Sequence, residues 1–579
     1  MKGSDTLTTD MKKRIDVASG RVDADLVLKN AKIVDVFSEE IVEGDIAIND
    51  GRIAGIGEYS GKEEIDLHGK YVAPGLIDGH VHIESSMVTP GQFAKAIVPH
   101  GTTTIIADPH EIANVCGLDG IEYILEGSKN ISLDVFVMLP SCVPSTDFEN
   151  SGAKLSAHEL KKMINNDRVL GLGELMDYPA VIGGKKEVLK KIAIAGDKIK
   201  DGHGPDIADK ELNAYVSAGI RTEHECTTVK EMQDRIRLGM HILIREGSAA
   251  RNLETLVKGI TRSNLRRILF CTDDRHPEDI LNDGHIDNNI RLAIKNGIDP
   301  ISAIKIASLN AAECYRLYDR GAIAPGYLAD LIVVDDMEGF KIEKVFKEGK
   351  LVAKGSKALF EVKAKKDSKV MDTVRLYEVN RDMLKIKLES DIVNVMRLSA
   401  HSLVTKKVIR KVDTEDGYFK YNDMLDILKL VVIERHNRTG NIGLGLVENF
   451  NLKDGAIAST IAHDSHNLIV TGDNDEDILL AIKEIGEIGG GITICSRGRV
   501  IKSIPLPIAG LISDKSLDEV SAELKEMLKI AYDMGVNKDI DPFMTLAFLA
   551  LPVIPELKLT DVGLFDVTKF DFIDLSIKS

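Results

Sequence analysis

The sequence predicts an α/β chain built on a (β/α)8 TIM-type barrel, with a split small β domain and a C-terminal α+β domain. Three observations carry this. Between residues 71 and 321 short apolar runs alternate with helical segments over roughly 250 residues, the usual length of one such barrel. Two β-rich patches of one texture, 21–70 and 322–360, flank that stretch. From residue 370 to 579 the pattern changes again, to longer helices mixed with strand-like runs.

Along the chain, residues 1–20 are a polar N-terminal segment without a clear hydrophobic period. Leu26–Leu28, Lys32–Val36, Asp45–Ile48 and Arg52–Ile56 read as short strands, with Asn49-Asp50-Gly51 as a hairpin turn signal. Asp330–Val334, Lys341–Phe346 and Lys350–Ala353 have the same character, with Gly349 at a turn. Residues 21–70 and 322–360 are therefore expected to form one small β-sandwich-like domain. Within 71–321 the apolar runs include Tyr71–Ala73, Thr103–Ala107, Val135–Met138, Val169–Leu172, Ile242–Ile244 and Ile268–Cys271. Leu118–Leu125 and Ile301–Leu309 have helical character. Lys363–Lys369 is a charged, linker-like stretch. In 370–579, Leu428–Ile433 and Leu468–Thr471 read as strands, and Asp475–Glu484 and Leu517–Tyr532 as helices.

The net charge of −17 repels phosphate backbones and anionic lipid, which argues against nucleic-acid and membrane partners and favours a small neutral or cationic ligand. Cysteines 116, 142, 226, 271, 314 and 495 include no CxxC pair, so neither a disulfide scaffold nor a thiolate zinc site is expected. MKGSDTLTTDMKKRID has no signal-peptide character, and no run of about 18 apolar residues occurs. A cytoplasmic protein is the expectation, self-associating, with a dimer favoured.

The strongest chemical signal is Pro74-Gly75-Leu76-Ile77-Asp78-Gly79-His80-Val81-His82. Two histidines at i and i+2 on an extended segment point the same way and together bite one metal ion. The glycines are expected to let the backbone pack beside that ion. Gly171-Leu172-Gly173-Glu174 ends an apolar run with a carboxylate able to bridge two cations. Asp201-Gly202-His203-Gly204 and Thr222-Glu223-His224-Glu225 each place a histidine beside a strand end, and Leu269-Phe270-Cys271-Thr272-Asp273-Asp274 closes a run with two aspartates. Taken singly, each fits an ordinary surface or core side chain. Together they offer four histidines, a glutamate and an aspartate at strand ends, where barrel active sites are assembled. Such ligands without thiolate suit Zn, Mn or Fe(II) rather than Ca or Mg.

This pattern resembles the amidohydrolase superfamily. More narrowly, the chain is similar to the adenine deaminase family. The supporting stretches are Ala107-Asp108-Pro109-His110-Glu111-Ile112-Ala113-Asn114, Arg245-Glu246-Gly247-Ser248-Ala249-Ala250-Arg251-Asn252-Leu253, Thr272–Pro277, Asp283–Asp287 and Ala462-His463-Asp464-Ser465-His466-Asn467. The resemblance implies a divalent, binuclear metal centre of Mn or Fe(II), with Zn as a further option. Its ligands would be His80, His82, His203, His224 and Asp273, with Glu174 where many relatives carry a modified lysine. It implies hydrolytic deamination of the free base adenine to hypoxanthine and ammonia, by a metal-activated hydroxide attacking C6. The alternative is another amidohydrolase acting on a cyclic amide or a different nucleobase. Adenine-attacking deaminases with HxE and PCxxC are excluded, because the chain has no such cysteine pair.

Deamination requires proton carriers within reach of the ring and the leaving amine. Asp273 is the expected base. Glu225, then Asp274, are candidates for protonating N1, with an orienting role for Glu225 on a ligand histidine as the alternative. Asp108, His110 and Glu111 share a loop after one strand, and Arg245, Glu246 and Ser248 follow another. These six, with His285, His463, Asp464 and His466, are the expected substrate contacts. The alternatives are a solvated loop, a salt bridge, and a helix N-cap at Ser248. The resemblance also implies that the last domain faces the barrel mouth.

Overall fold

The computed structural model describes residues 4–363 and 367–577, so Lys363–Lys369 lies partly outside the described residues. Ser4–Ala18 forms a helix. Val17 is buried with Ala24, Val27, Ala47 and Ala54, while Met11 and Ile15 stay exposed. So small an apolar contact explains why this segment shows no clear period.

A nine-stranded mixed sheet unites the two β-rich patches. Tyr71–Pro74 is the joint: it runs parallel to Ala24–Asp35 and antiparallel to Leu331–Val334, with Ala73 opposite Ile332. Tyr71–Ala73 therefore does not belong to the central alternation. A three-residue apolar run carries no information about which sheet it joins, and here the partners are the distant strands. The hairpin between Glu40–Asn49 and Arg52–Gly57 turns at Asp50 and Gly51, whose φ values of 48° and 73° match a two-residue hairpin turn.

The central stretch is a curled parallel sheet with helices between its strands. Leu76–Val81, Thr102–Ala107, Asp134–Leu139, Val169–Leu175 and Ile199–Gly202 pair in sequence order. Thr222–Glu223, His241–Arg245 and Ile268–Cys271 form a second parallel set. The Arg221 amide donates to the Lys200 carbonyl at 3.2 Å, and the Asp273 amide to the His80 carbonyl at 2.9 Å, so hydrogen bonds link the two sets at both ends. Ile77, Ile106, Met138, Leu243 and Leu269 fill a common apolar cluster.

Gly75 and Gly79 serve this packing and not closeness to an ion. A Cβ on Gly79 would stand 2.7 Å from the Leu269 side chain and 3.1 Å from the Phe270 carbonyl, and one on Gly75 would strike Thr103. Gly173 is the glycine that makes room beside the site, because a Cβ there would lie 2.1 Å from the Asp108 carboxylate.

The last part of the chain is an eight-stranded sheet with a smaller three-stranded one. Helix Asp475–Glu487 packs on the larger sheet through Ile478, Ala481, Ile482 and Ile485. Helix Leu517–Asp533 begins with a Ser516–Glu519 capping box. This region meets the parallel sheet's loops directly: the Ser513 amide donates to the Met87 carbonyl at 2.8 Å. Among the described residues no helix is long and apolar enough to cross a membrane, and all six cysteines are free.

Candidate active site

The ends of the parallel strands bring six predicted ligands together. His80 Nε2 and His82 Nε2 face each other at 3.2 Å. Glu174 Oε1 lies 2.8 Å from the first and 3.2 Å from the second, and Asp273 Oδ1 is 3.0 Å from His82 Nε2. The other oxygen, Glu174 Oε2, is 2.9 Å from His203 Nδ1, while His224 Nε2 is 3.8 Å from Oε1. Glu174 is thus shared by two ligand groups, His80–His82–Asp273 and His203–His224.

Several observations fit this cluster to a cation. His82 Nδ1 lies 2.8 Å from the Asp108 carbonyl, which accepts its proton and leaves the Nε2 lone pair facing the cluster. Two ring nitrogens face each other, and one proton at most could bridge them. Glu174 Oε1 and His203 Nδ1 are buried without a directed hydrogen bond. Burial opposes the charged form of His80, but Asp273 and Glu174 outweigh it and raise its pKa to about 10. His82 is likewise raised well above the usual imidazole value. Burial, then the neighbouring His80, pushes His224 down to about 3. Glu174 and Asp273 lie well below the usual carboxylate range, because His203 for the first and Arg245 for the second overcome burial. Binding a cation would displace the protons that these carboxylates hold on the imidazoles.

Buried polar staples set the strand ends in register. Asp78 Oδ1 accepts the His80 and Thr272 amides, each at 3.1 Å, and its Oδ2 accepts the Thr272 hydroxyl at 2.5 Å. One side chain therefore fixes the histidine pair against Asp273. Burial pushes Asp78 up to about 7. Asp201 does the same one strand pair away, accepting the Thr222 hydroxyl at 2.5 Å. The Glu174 backbone is held by Asp108 Oδ2, which accepts its amide at 3.0 Å, and by the Ser141 hydroxyl, which donates to its carbonyl. Sequence reasoning missed Asp78 and Asp201 as working residues; the signal was an acid inside or closing a strand just before a histidine. Asp78→Ala would leave two amides and a hydroxyl without their acceptor. We expect it to cost about 2–4 kcal/mol, read as a lower urea midpoint.

Arg245 donates to Asp273 Oδ2 at 2.8 Å and forks onto Glu225, with Nη2 3.0 Å from Oε2. Burial opposes Glu225's charge, but Arg245 keeps it below the usual range. Glu225 Oε1 sits 3.6 Å from His224 and 3.8 Å from His203, an orienting position. Three expected substrate contacts have protein partners instead. Glu246 accepts the Leu253 amide at 3.3 Å. Ser248 donates to Asp279 and accepts the His276 amide. His285 is fully buried, with Nε2 3.2 Å from Asp78 and Nδ1 2.9 Å from the Thr102 hydroxyl. Both its nitrogens are spent, so it does not reach a substrate. Loop residues near a strand end share one sequence appearance whether they point into the mouth or back into the wall.

Asp108, His110, Glu111 and Asp464 do reach the site's edge. The His110 ring lies 4.5 Å from the His82 ring, and Asp108 Oδ1, His110 Nδ1 and Asp464 Oδ2 are buried without a hydrogen-bond partner. His463 and His466 bracket the Glu111 carboxylate, with His463 Nδ1 2.7 Å from Oε1 and His466 Nε2 bonded to Oε2. This trio also converges as cation ligands would. However, His466 Nδ1 accepts the Ala462 amide at 3.2 Å, so Nε2 carries the proton and has no lone pair for a metal. It is a hydrogen-bonded clamp. Arg435, donating to the His466 carbonyl, and His436, 2.8 Å from the Ser465 carbonyl, hold its loop.

A cavity opens beside this clamp, lined by Glu84, Ser85, Met87, Glu111, His276, Ile461, His463 and Leu511 among others. The Ser85 hydroxyl donates to Asp274, whose charge also acts on His82. Glu84 accepts the Ile112 amide at 3.1 Å, and burial pushes it up to about 7. Glu84, Ser85 and Met87 were not singled out from the sequence, although they follow His82 directly.

Comparison with known proteins decides what this site belongs to. The amidohydrolase family profile matches residues 71–352, and that of the adenine deaminase C-terminal domain matches 402–571. An adenine deaminase of Clostridium acetobutylicum is 55% identical over 567 residues, covering 97% of this chain and all of the relative. The chain belongs to the adenine deaminase family. An adenine deaminase of Halalkalibacterium halodurans is 48% identical, with 99% of each chain covered. A solved adenine deaminase structure is 19% identical, covers 57% of this chain and 99% of its own, and has a TM-score of 0.44. Membership of the amidohydrolases implies a divalent metal, and this chain presents His, Glu and Asp clusters that fit one.

Proposed function

We propose that this chain hydrolyses adenine to hypoxanthine and ammonia. The full-length match to relatives named adenine deaminase carries the reading. The two parallel strand sets are read as one (β/α)8 barrel of residues 71–321. Its support is the pair of hydrogen bonds linking Lys200 to Arg221 and His80 to Asp273. The small β domain takes 21–70 and 322–360, and the C-terminal domain 370–579. The protein is read as a cytoplasmic homo-oligomer, a dimer first.

His80, His82 and Asp273 would hold one cation, His203 and His224 a second, and Glu174 both. Mn or Fe(II) is favoured, with Zn a further option. A divalent cation there lowers the pKa of water and supplies hydroxide near neutral pH. Asp273, with Oδ2 tied to Arg245 and Oδ1 toward His82, takes the proton of the attacking water and gives it to the departing amine. Arg245 and Glu225 hold that carboxylate and the two later histidines in place. Asp274, held by the Ser85 hydroxyl, is suited to accept from N–H groups of the purine. Asp108, His110, Glu111, Asp464 and His463 close the wall on which the base rests.

An ammonia-release assay over purines, pyrimidines and cyclic amides, with added Mn or Fe(II), tests the function. Adenine should be the preferred substrate. Preference for a cyclic amide or another nucleobase would sink the assignment. A chain ending near Phe360 should be inactive even if soluble, because it lacks the His463–His466 wall. Full-length turnover by the truncated protein would remove the C-terminal domain from catalysis.

A further inference from the structure

We propose that the C-terminal domain supplies the proton donor for the purine ring: His463, paired through Nδ1 with Glu111, presents Nε2–H to the cavity as the acid that protonates a ring nitrogen. This rests on the adenine-deaminase reading and adds to it a named acid from outside the parallel sheet.

Four observations lead there. His463 Nδ1 is 2.7 Å from Glu111 Oε1, a carboxylate–imidazole pair that fixes the ring and stabilises its charged form. Among the described residues Nε2 has no hydrogen-bond partner, and His463 lines two cavities. The ring stacks on Phe548, with centroids 4.3 Å apart and planes 26° apart, so it has one orientation. His466 secures the far oxygen of Glu111, so the carboxylate cannot rotate away from His463. The carboxylates nearest the metal ligands are poorer donors: Arg245 holds Glu225 ionised, and Asp273 has to accept a proton first.

The step balances. As the water oxygen adds to C6, its proton passes to Asp273, and the C6=N π pair moves onto the ring nitrogen. That nitrogen takes the Nε2 proton of His463, leaving neutral imidazole. The amine takes the proton from Asp273 and leaves as ammonia. The C6 hydroxyl proton, released as the carbonyl forms, restores the enzyme's proton through solvent. Hypoxanthine keeps the proton on its ring.

Burial opposes the imidazolium, but Glu111 outweighs it and raises His463 to about 9. Asp274 and Asp464 face the ring and favour the cation, while His466, pushed down to about 4 by burial, stays neutral. His276 and Glu84 lie in the same cavity wall, and His110 Nε2 is 3.3 Å from the Glu111 oxygen that holds His463. An acid with a raised pKa is active while protonated, so kcat/KM should be held below pH 9 and fall as pH rises through it.

His463→Asn keeps a donor toward Glu111 but removes Nε2, and His463→Gln puts an uncharged N–H near the Nε2 position. We expect His463→Asn to retain the melting temperature, to lose about 10²–10⁴-fold in kcat and to lack the alkaline limb. His463→Gln should bind hypoxanthine near normally by calorimetry, yet turn over as slowly. Glu111→Gln, acting through His463, should move the alkaline limb to lower pH. In metal-free protein, an imidazole resonance absent from His463→Asn should titrate near pH 9. Unchanged kcat with the limb retained in either His463 variant would overturn the proposal, as would a rise in KM alone. If the unmodified protein releases no ammonia from adenine, the functional reading fails instead.

Discussion

Glu174→Gln is expected to keep the fold, lose most bound metal and turn over about 10²–10⁴-fold more slowly, the loss of several kcal/mol of charge stabilisation. Oε1 of this side chain lies within 3.2 Å of His80 and His82, and Oε2 lies 2.9 Å from His203. One carboxylate therefore serves two ligand groups, and a neutral amide compensates neither cation. The fold should survive because Glu174 is anchored by its backbone, to Asp108 and Ser141. Gln also keeps the side-chain volume. Elemental analysis, turnover and melting temperature measured on one preparation separate these outcomes. Unchanged metal content together with unchanged turnover would remove Glu174 from the centre.

The second large effect separates two adjacent aspartates. Asp273 Oδ1 lies 3.0 Å from His82, whereas Asp274 accepts the Ser85 hydroxyl. Asp273 has a φ of 60°, a left-handed conformation that Asn adopts as readily as Asp. Asp273→Asn should therefore fold, ligate in part and lose the proton acceptor. The expected fall in kcat is about 10²–10⁴-fold, exceeding the loss in metal occupancy. Asp274→Asn should mainly raise KM, as the proposed contact with the purine's edge predicts. Loss of metal from Asp274→Asn alongside normal turnover in Asp273→Asn would reverse the two assignments.

The ligand set was legible in the sequence because metal chemistry restricts residue types tightly. A histidine pair two apart, later histidines and an acid at a strand end leave few other readings. The strands bearing two of those histidines were not legible by pattern. Ile199–Gly202 reads Ile-Lys-Asp-Gly and Thr222–Glu223 has two polar residues, so neither shows an apolar run. They are strands because neighbours on both sides offer backbone partners, and Asp201 and Thr222 satisfy one another inside the sheet. Side-chain direction was the other hidden quantity. Glu111 lies in the first turn of the helix His110–Cys116, where a polar loop was expected, and His285 caps the helix Ile286–Lys295; yet one faces His463 and the other faces Asp78. Glu84 and Ser85 went unnoticed because the histidines before them carried all the signal.

The centre and the activity are tested together by titrating Mn into metal-free protein while following ammonia release from adenine. A binuclear centre predicts that activity rises to two equivalents per chain and then stops. Full activity at one equivalent, or no ammonia at any loading, would contradict it.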